Sequence, residues 1–241
     1  MSSNLKLGLH ASPEPDVNVH EYQLRIGSVM YAMLGTRPDI TFAITKLSQY
    51  SSNPGVDHWT AINCLLWYLS STRDLKLVYN RNSKCNNKSG YSDSDWAGDP
   101  RDHRSISGYI FIMAGAAVSW SSKKQPSVAL SSTKGEYMAM MHASKEAIWI
   151  QPFLHDIHFP LSDPTMLLVD NQGAIALASN PTFHAQMKHI SVHHHFIHKQ
   201  VEDWDILLEY VPMNDQVVDV LTKALPYDKH SVFTVNMGLC K

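Results

Sequence analysis

The chain has 241 residues, 44% of them hydrophobic, with 20 basic side chains against 22 acidic ones. That is enough apolar material for one sizeable core, or one core plus a helical appendage. The near-neutral balance excludes a strongly basic nucleic-acid binder, so any such contact must come from a local patch or through bridging metal.

In chain order, residues 1–20 carry Pro13 and Pro15 and no periodicity, which predicts a flexible lead-in. From Tyr22 the pattern turns helical, with Leu24, Ile26, Val29, Met30, Met33 and Leu34 on one stripe and Gly35 as the stop. Pro38 opens a second predicted helix through Ile40, Ala43, Ile44 and Leu47, which Asn53-Pro54-Gly55 breaks. A third carries Trp59, Ile62, Leu65, Leu66, Tyr68 and Leu69, and Leu75–Tyr79 reads as a short strand. The polar stretch 81–88 reads as a linker, dividing a helical segment over 21–80 from a unit over 89–241.

Beyond the linker the periodicity changes. Strands are predicted near Gly90–Asp95, Ser107–Met113 and Ala116–Trp120, then a long helix from Thr133 to His155 that Pro152 favours ending early. A strand over Met166–Val169, helices over Gln172–Ala178 and Met187–Glu202, a strand over Ile206–Val211 and a helix over Gln216–Ala224 follow. Three consecutive strands predict an antiparallel meander. The later strand–helix alternation adds parallel strands to the same sheet, giving an α/β fold with a mixed five-stranded sheet flanked by helices.

Three scattered cysteines without a CxxC pair argue against a thiolate zinc site and a disulfide framework. No run approaches the roughly 18 apolar residues of a spanning helix, and the first twenty lack the apolar core of a secretory leader. The expectation is an intracellular chain, cytoplasmic or nuclear and not secreted, with no membrane partner.

Four carboxylates carry the chemistry: Asp93, Glu136, Asp170 and Asp219. Each lies where a predicted strand ends or a predicted helix begins. A lone acid in such a place is usually a cap or turn residue. Four in this element order can converge at one end of the sheet. Asp93 and Asp170 would face each other if their strands are neighbours. Converged carboxylates repel and hold hard cations, so the pattern predicts a catalytic and metal-binding tetrad holding two Mg2+ ions, with Mn2+ as a possible substitute. Two ions in such a cage suit phosphodiester hydrolysis. Asp95 competes with Asp93, since strand alternation puts both on one face.

Specific stretches resemble a family. Gly90-Tyr-Ser-Asp-Ser-Asp-Trp-Ala-Gly-Asp99, Arg104-Ser-Ile-Ser-Gly-Tyr109, Ser119-Trp-Ser-Ser-Lys-Lys-Gln-Pro126, Ala129-Leu-Ser-Ser-Thr133, Glu136-Tyr137, Lys145-Glu-Ala-Ile-Trp149, Asp170-Asn-Gln172, Lys188-His-Ile190 and Leu221-Thr-Lys-Ala-Leu225 resemble the ribonuclease H domain of copia-type LTR retrotransposon Pol polyproteins. Ile26-Gly-Ser-Val-Met-Tyr31, Thr36-Arg-Pro-Asp-Ile40 and Leu47-Ser-Gln-Tyr50 resemble the segment that joins that domain to its reverse transcriptase. The resemblance implies a ribonuclease H-like fold, cleavage of the RNA strand of an RNA·DNA hybrid, and other Pol segments as possible partners. It maps the acidic tetrad onto Asp93, Glu136, Asp170 and Asp219. Ser132, Thr133 and Gln172 beside the acids suit recognition of ribose hydroxyls, and Lys123 and Lys124, with Trp120, suit phosphates or a sugar face.

The chain departs from the pattern in several places. It has no Tyr-x-Asp-Asp motif, so it should not polymerise DNA and looks like a Pol fragment or a gene derived from one. Lys134-Gly135 precedes Glu136 where the family usually has Glu-Ala. The loop Pro212–Gln216 lacks the histidine that cellular ribonucleases H place there, as the copia-type pattern generally does too, which suggests slower turnover rather than inactivity. His193 and His194 stand where Arg and Tyr are more usual. The pairs His189/His193 and His194/His198 are spaced four apart, as a solvated face, a transition-metal clamp or a pH-dependent hybrid contact would have them. Rival functions are a DNA-directed nuclease on the same fold and a non-catalytic remnant that binds nucleic acid.

Overall fold

The computed structural model describes residues 17–80, 89–159, 163–179 and 191–241, with the side chains of 191–195 left out. The predicted linker, most of the predicted lead-in, His189 and the start of the predicted helix from Met187 lie outside the described residues.

Helix α1 spans Val19–Gly35, and the Asn18 side chain caps it by accepting from the Glu21 amide at 3.1 Å. Pro38 does not start the second helix directly. Pro38–Ile40 forms a single 3-10 turn before α2 (Thr41–Ser48), and α3 follows over Val56–Ser71. Part of each predicted apolar stripe meets the others: Tyr22, Ile26, Val29 and Met33 pack against Ile40, Ile44, Leu47, Ile62 and Leu65, whereas Leu24, Met30 and Leu34, expected on the α1 stripe, are exposed. Tyr22, fully buried, satisfies its hydroxyl on the Leu47 carbonyl at 2.9 Å.

The sheet is the expected mixed one of five strands. Strands β2 (Ser89–Asp95), β3 (Ile106–Met113) and β4 (Ala116–Lys124) form the antiparallel meander, and β5 (Thr165–Val169) and β6 (Ile206–Tyr210) add in parallel, in the order β4-β3-β2-β5-β6. One face packs against α4 (Ser132–Asp156), α5 (Gln172–Ser179) and α6 (Ser191–Glu202), through Phe111, Tyr137, Met140, Leu167 and Ile197. Pro152 does not shorten α4. Ile150 and Leu154, buried on either side of it, hold the turn past the missing N–H, so packing overrides the local penalty.

The other face carries an end of the chain that periodicity did not anticipate. The helix predicted over Gln216–Ala224 shrinks to one turn, α7 (Asp219–Thr222), because Lys223 is extended and Pro226 bars continuation. Helix α8 (Tyr227–Asn236) and strand β7 (Leu239–Cys240) follow, and β7 pairs antiparallel with β1 (Lys76–Leu77). Val220, Leu221, Phe233 and Met237 bury against Ile110 and Ala117. The helical segment docks on this side. The Trp120 indole donates to the Met33 carbonyl at 3.2 Å, Arg101 to Gln49 at 2.5 Å, and Thr45 to the Ser122 carbonyl at 3.3 Å, while a His230 ring nitrogen sits 3.2 Å from the Asp39 carbonyl oxygen.

Candidate metal centre

The parallel pairing of β2 with β5 sets Ser92 beside Val169, so the next residues, Asp93 and Asp170, emerge at the same end of adjacent strands. Helix α4 starts over that end. Ser131 caps it by accepting from the Lys134 amide at 3.2 Å, which places Glu136 in the second turn above the strand ends. Carboxylate oxygens of Asp93, Glu136 and Asp170 lie within 4.8 Å of one another. Asp93 and Glu136 are buried and Asp170 half-buried.

Glu136 is held from behind. The buried Gln125 amide nitrogen lies 3.0 Å from the Gly135 carbonyl, 3.1 Å from Ser94 Oγ and 2.8 Å from Ser107 Oγ, tying the helix start to β2 and β3. Gln216 donates to the Ser92 carbonyl at 3.0 Å and seats the segment before α7. Gly108, the cross-strand partner of Asp93, lets α7 approach. A Cβ there would stand 2.7 Å from Thr222 Cγ2 and 3.1 Å from Leu221 Cβ.

The electrostatics follow from burial and proximity. Burial first, then Asp93 and Asp170, push the Glu136 carboxyl up to about 9. Burial and Asp93 push Asp170 up to about 6, and burial raises Asp93 although Lys223 opposes it. Glu136 Oε2 is buried without a hydrogen-bond partner. Converging carboxylates with an orphaned oxygen fit a hard divalent cation, which accepts only oxygen ligands of this kind.

Asp219 stands apart from this trio. Its carboxylate receives Lys223 Nζ at 3.0 Å and Lys229 Nζ at 2.9 Å. Lys223 also reaches Asp93 at 3.2 Å, and the Thr222 hydroxyl donates to the other Asp93 oxygen. Burial works to lower the Lys223 pKa, but Asp93 and Asp219 carry it above its ordinary value. Leu221-Thr-Lys-Ala-Leu225 was among the recognisable stretches, yet no role fell to its lysine. The four-residue spacing from Asp219 was the available signal. Lys229 comes from the next helix and left no such trace.

The other sequence candidates divide. Asp95 accepts from the Ile106 amide on the neighbouring strand and is pushed up to about 7 mainly by burial; it is not one of the converging three. Ser132 is exposed and Thr133 half-buried at the start of α4, which carries Glu136, and Gln172 is exposed at the start of α5, two residues after Asp170. Lys123 is exposed, whereas Lys124 is held by Asp99 at 2.5 Å and Asp102 at 2.9 Å. The Trp120 indole N–H is spent on Met33. In the histidine run, His198 is described and lies 3.3 Å from Glu202, while the partners needed for either clamp fall outside the described side chains.

The site thus lies where the central strands of a mixed five-stranded sheet end in converging carboxylates under a helix start. No family model matches the chain. It is 39% identical over its whole length to the Retrovirus-related Pol polyprotein from transposon RE2 of Arabidopsis thaliana, and 37% identical over 90% of its length to that from transposon TNT 1-94 of Nicotiana tabacum. The chain is thus similar along its length to retrotransposon Pol polyproteins, and spans 16% of the length of each of these two relatives. Among solved structures it is similar to ribonuclease H1 of Halobacterium salinarum, at 15% identity and a TM-score of 0.41 over 56% of this chain and 94% of that one. Among the described residues no helix is long and apolar enough to cross a membrane.

Proposed function

We propose that this chain is a divalent-metal-dependent endonuclease that cleaves the RNA strand of RNA·DNA hybrids. The observation that carries this is the convergence of Asp93, Glu136 and Asp170 to within 4.8 Å at the strand ends. Likeness to Pol polyproteins supports the hybrid as substrate and other Pol segments as partners. Residues 89–241 are then the nuclease unit, and 21–80 the remnant of the connection to a polymerase.

Asp93, Glu136 and Asp170 would hold Mg2+, or Mn2+ in its place. When bound, the cation supplies Lewis-acid polarisation of a phosphodiester. The chain's own part is to keep these acids together in a site where burial strengthens their pull on a cation. Gln125 fixes the turn that carries Glu136. Thr222 and Lys223 fix the Asp93 rotamer. Ser132, Thr133 and Gln172 line the approach from the α4 and α5 starts, where ribose hydroxyls would pass. Lys123, exposed on β4, is free to meet a phosphate, whereas Lys124 would have to leave Asp99 first.

The test is a labelled RNA·DNA hybrid with Mg2+, run beside Asp170→Asn, an EDTA control, and duplex DNA, duplex RNA and single strands of the same sequence. We expect cuts in the RNA of the hybrid alone, with a loss of at least a hundredfold in Asp170→Asn, on the order seen when a transition-state electrostatic contact is removed. Cuts in duplex DNA would replace the reading with a DNA-directed nuclease. Hybrid binding without cuts would leave a non-catalytic remnant.

A further inference from the structure

A tetrad holding two ions would use Asp219, and the geometry gives Asp219 to lysines. Both of its oxygens are engaged, Oδ1 by Lys223 and Oδ2 by Lys229, and its side chain is only 3% exposed. Lys223 spans the gap to Asp93, touching one carboxylate on each side. A second cation held by Asp93 and Asp219 would compete with this ammonium for the same two carboxylates.

The arrangement is built in. The one-turn helix α7 sets Lys223 one turn beyond Asp219, and the Lys223 amide donates to the Asp219 carbonyl at 2.9 Å. The close approach over Gly108 brings that turn down onto β3 opposite Asp93. Lys229 is aimed from the first turn of α8 and lies 5.1 Å from the centre of the Phe233 ring, which fixes its stem. Four carboxylates against two ammonium groups leave a formal charge of −2, which one divalent cation neutralises. Two divalent ions would leave a formal charge of +2, and +1 even with Lys223 withdrawn.

Resting on the assignment of Asp93, Glu136 and Asp170 as metal ligands, we propose that this centre takes one divalent cation, among those three acids, and that the Lys223 ammonium stands in for the second. Lys223 is thereby a positioning residue that sets metal stoichiometry, and Asp219 is its anchor rather than a metal ligand.

The test counts Mn2+ by electron paramagnetic resonance titration of the full chain without nucleic acid, with circular dichroism checking the fold of each variant. Wild type and Lys223→Arg should each take one ion, and Lys223→Met should take two. Asp219→Asn should keep the single ion with its affinity within about threefold. Two ions in the wild type, one ion in Lys223→Met, or loss of the ion in Asp219→Asn would each overturn the proposal. Failure of the underlying assignment looks different: Asp170→Asn would then bind Mn2+ as the wild type does, and the proposal would fall with it.

Discussion

At the scale of single residues, the candidate centre stores unfavourable charge that a cation would relieve. Glu136 has its folded pKa raised to about 9, above its ordinary 4.5. A carboxyl raised in this way holds its proton more tightly folded than unfolded. Its contribution is complete below about pH 4.5 and is lost as the pH rises toward 9. Without divalent ions the melting temperature should therefore fall between pH 5.5 and 8.5. Added Mg2+ should raise it, and more at pH 8.5 than at pH 5.5, because binding must displace the proton. Thermal melts in EDTA and in Mg2+ at the two pH values decide this; an equal Mg2+ effect at both would remove the link between Glu136 and the ion.

At the scale of elements, two close approaches shape the centre and its support. Gly108 admits α7, and Gly238 (φ 84°) admits the chain end that pairs β7 with β1. A Cβ on Gly238 would lie 2.5 Å from Ala116 Cα and 2.7 Å from the Gly115 carbonyl oxygen, both backbone atoms that cannot yield. Gly238→Ala should cost about 2–3 kcal/mol, as overpacking and a strained left-handed backbone combine. Gly108→Ala should cost about 1–3 kcal/mol by lifting α7, and should also disturb the Lys223 bridge. Urea titrations measure both. A change below about 0.5 kcal/mol at Gly238 would mean that the chain end is not docked there in solution.

At the scale of the whole molecule, the helical segment and the sheet are stitched together by side chains from both. The Trp120–Met33, Arg101–Gln49 and His230–Asp39 contacts and the β1–β7 pair all cross between residues 17–80 and the sheet with its chain end. The Asp99 carboxyl, held well below its usual range chiefly by Arg101, anchors Arg101 and Lys124 beside this seam. We expect one cooperative unfolding transition. Far-ultraviolet circular dichroism and tryptophan fluorescence should give coincident urea curves. Two separated transitions would mean that the helical segment and the sheet are independent units.

Much of this was legible along the chain. The helix faces carrying Ile26, Val29 and Met33 and Ile62 and Leu65 follow from periodicity, because burial on a helix repeats every 3.6 residues, and the order of strands and helices implies the meander followed by parallel additions. The convergence of Asp93, Glu136 and Asp170 could be anticipated because each sits at a strand end or helix start. Pro152 misled, since two buried neighbours outweigh one missing hydrogen bond. The chain end was opaque: α8 has little apolar periodicity, and β7 is two residues long. The sequence by itself determined the likeness to Pol polyproteins, the sheet and the convergence of three acids. Only the tertiary structure decided the fate of Asp219, because the two ammonium groups that claim it come from different elements, and it takes the packing of α7 over Gly108 and of α8 beside it to bring them within 3 Å of one carboxylate.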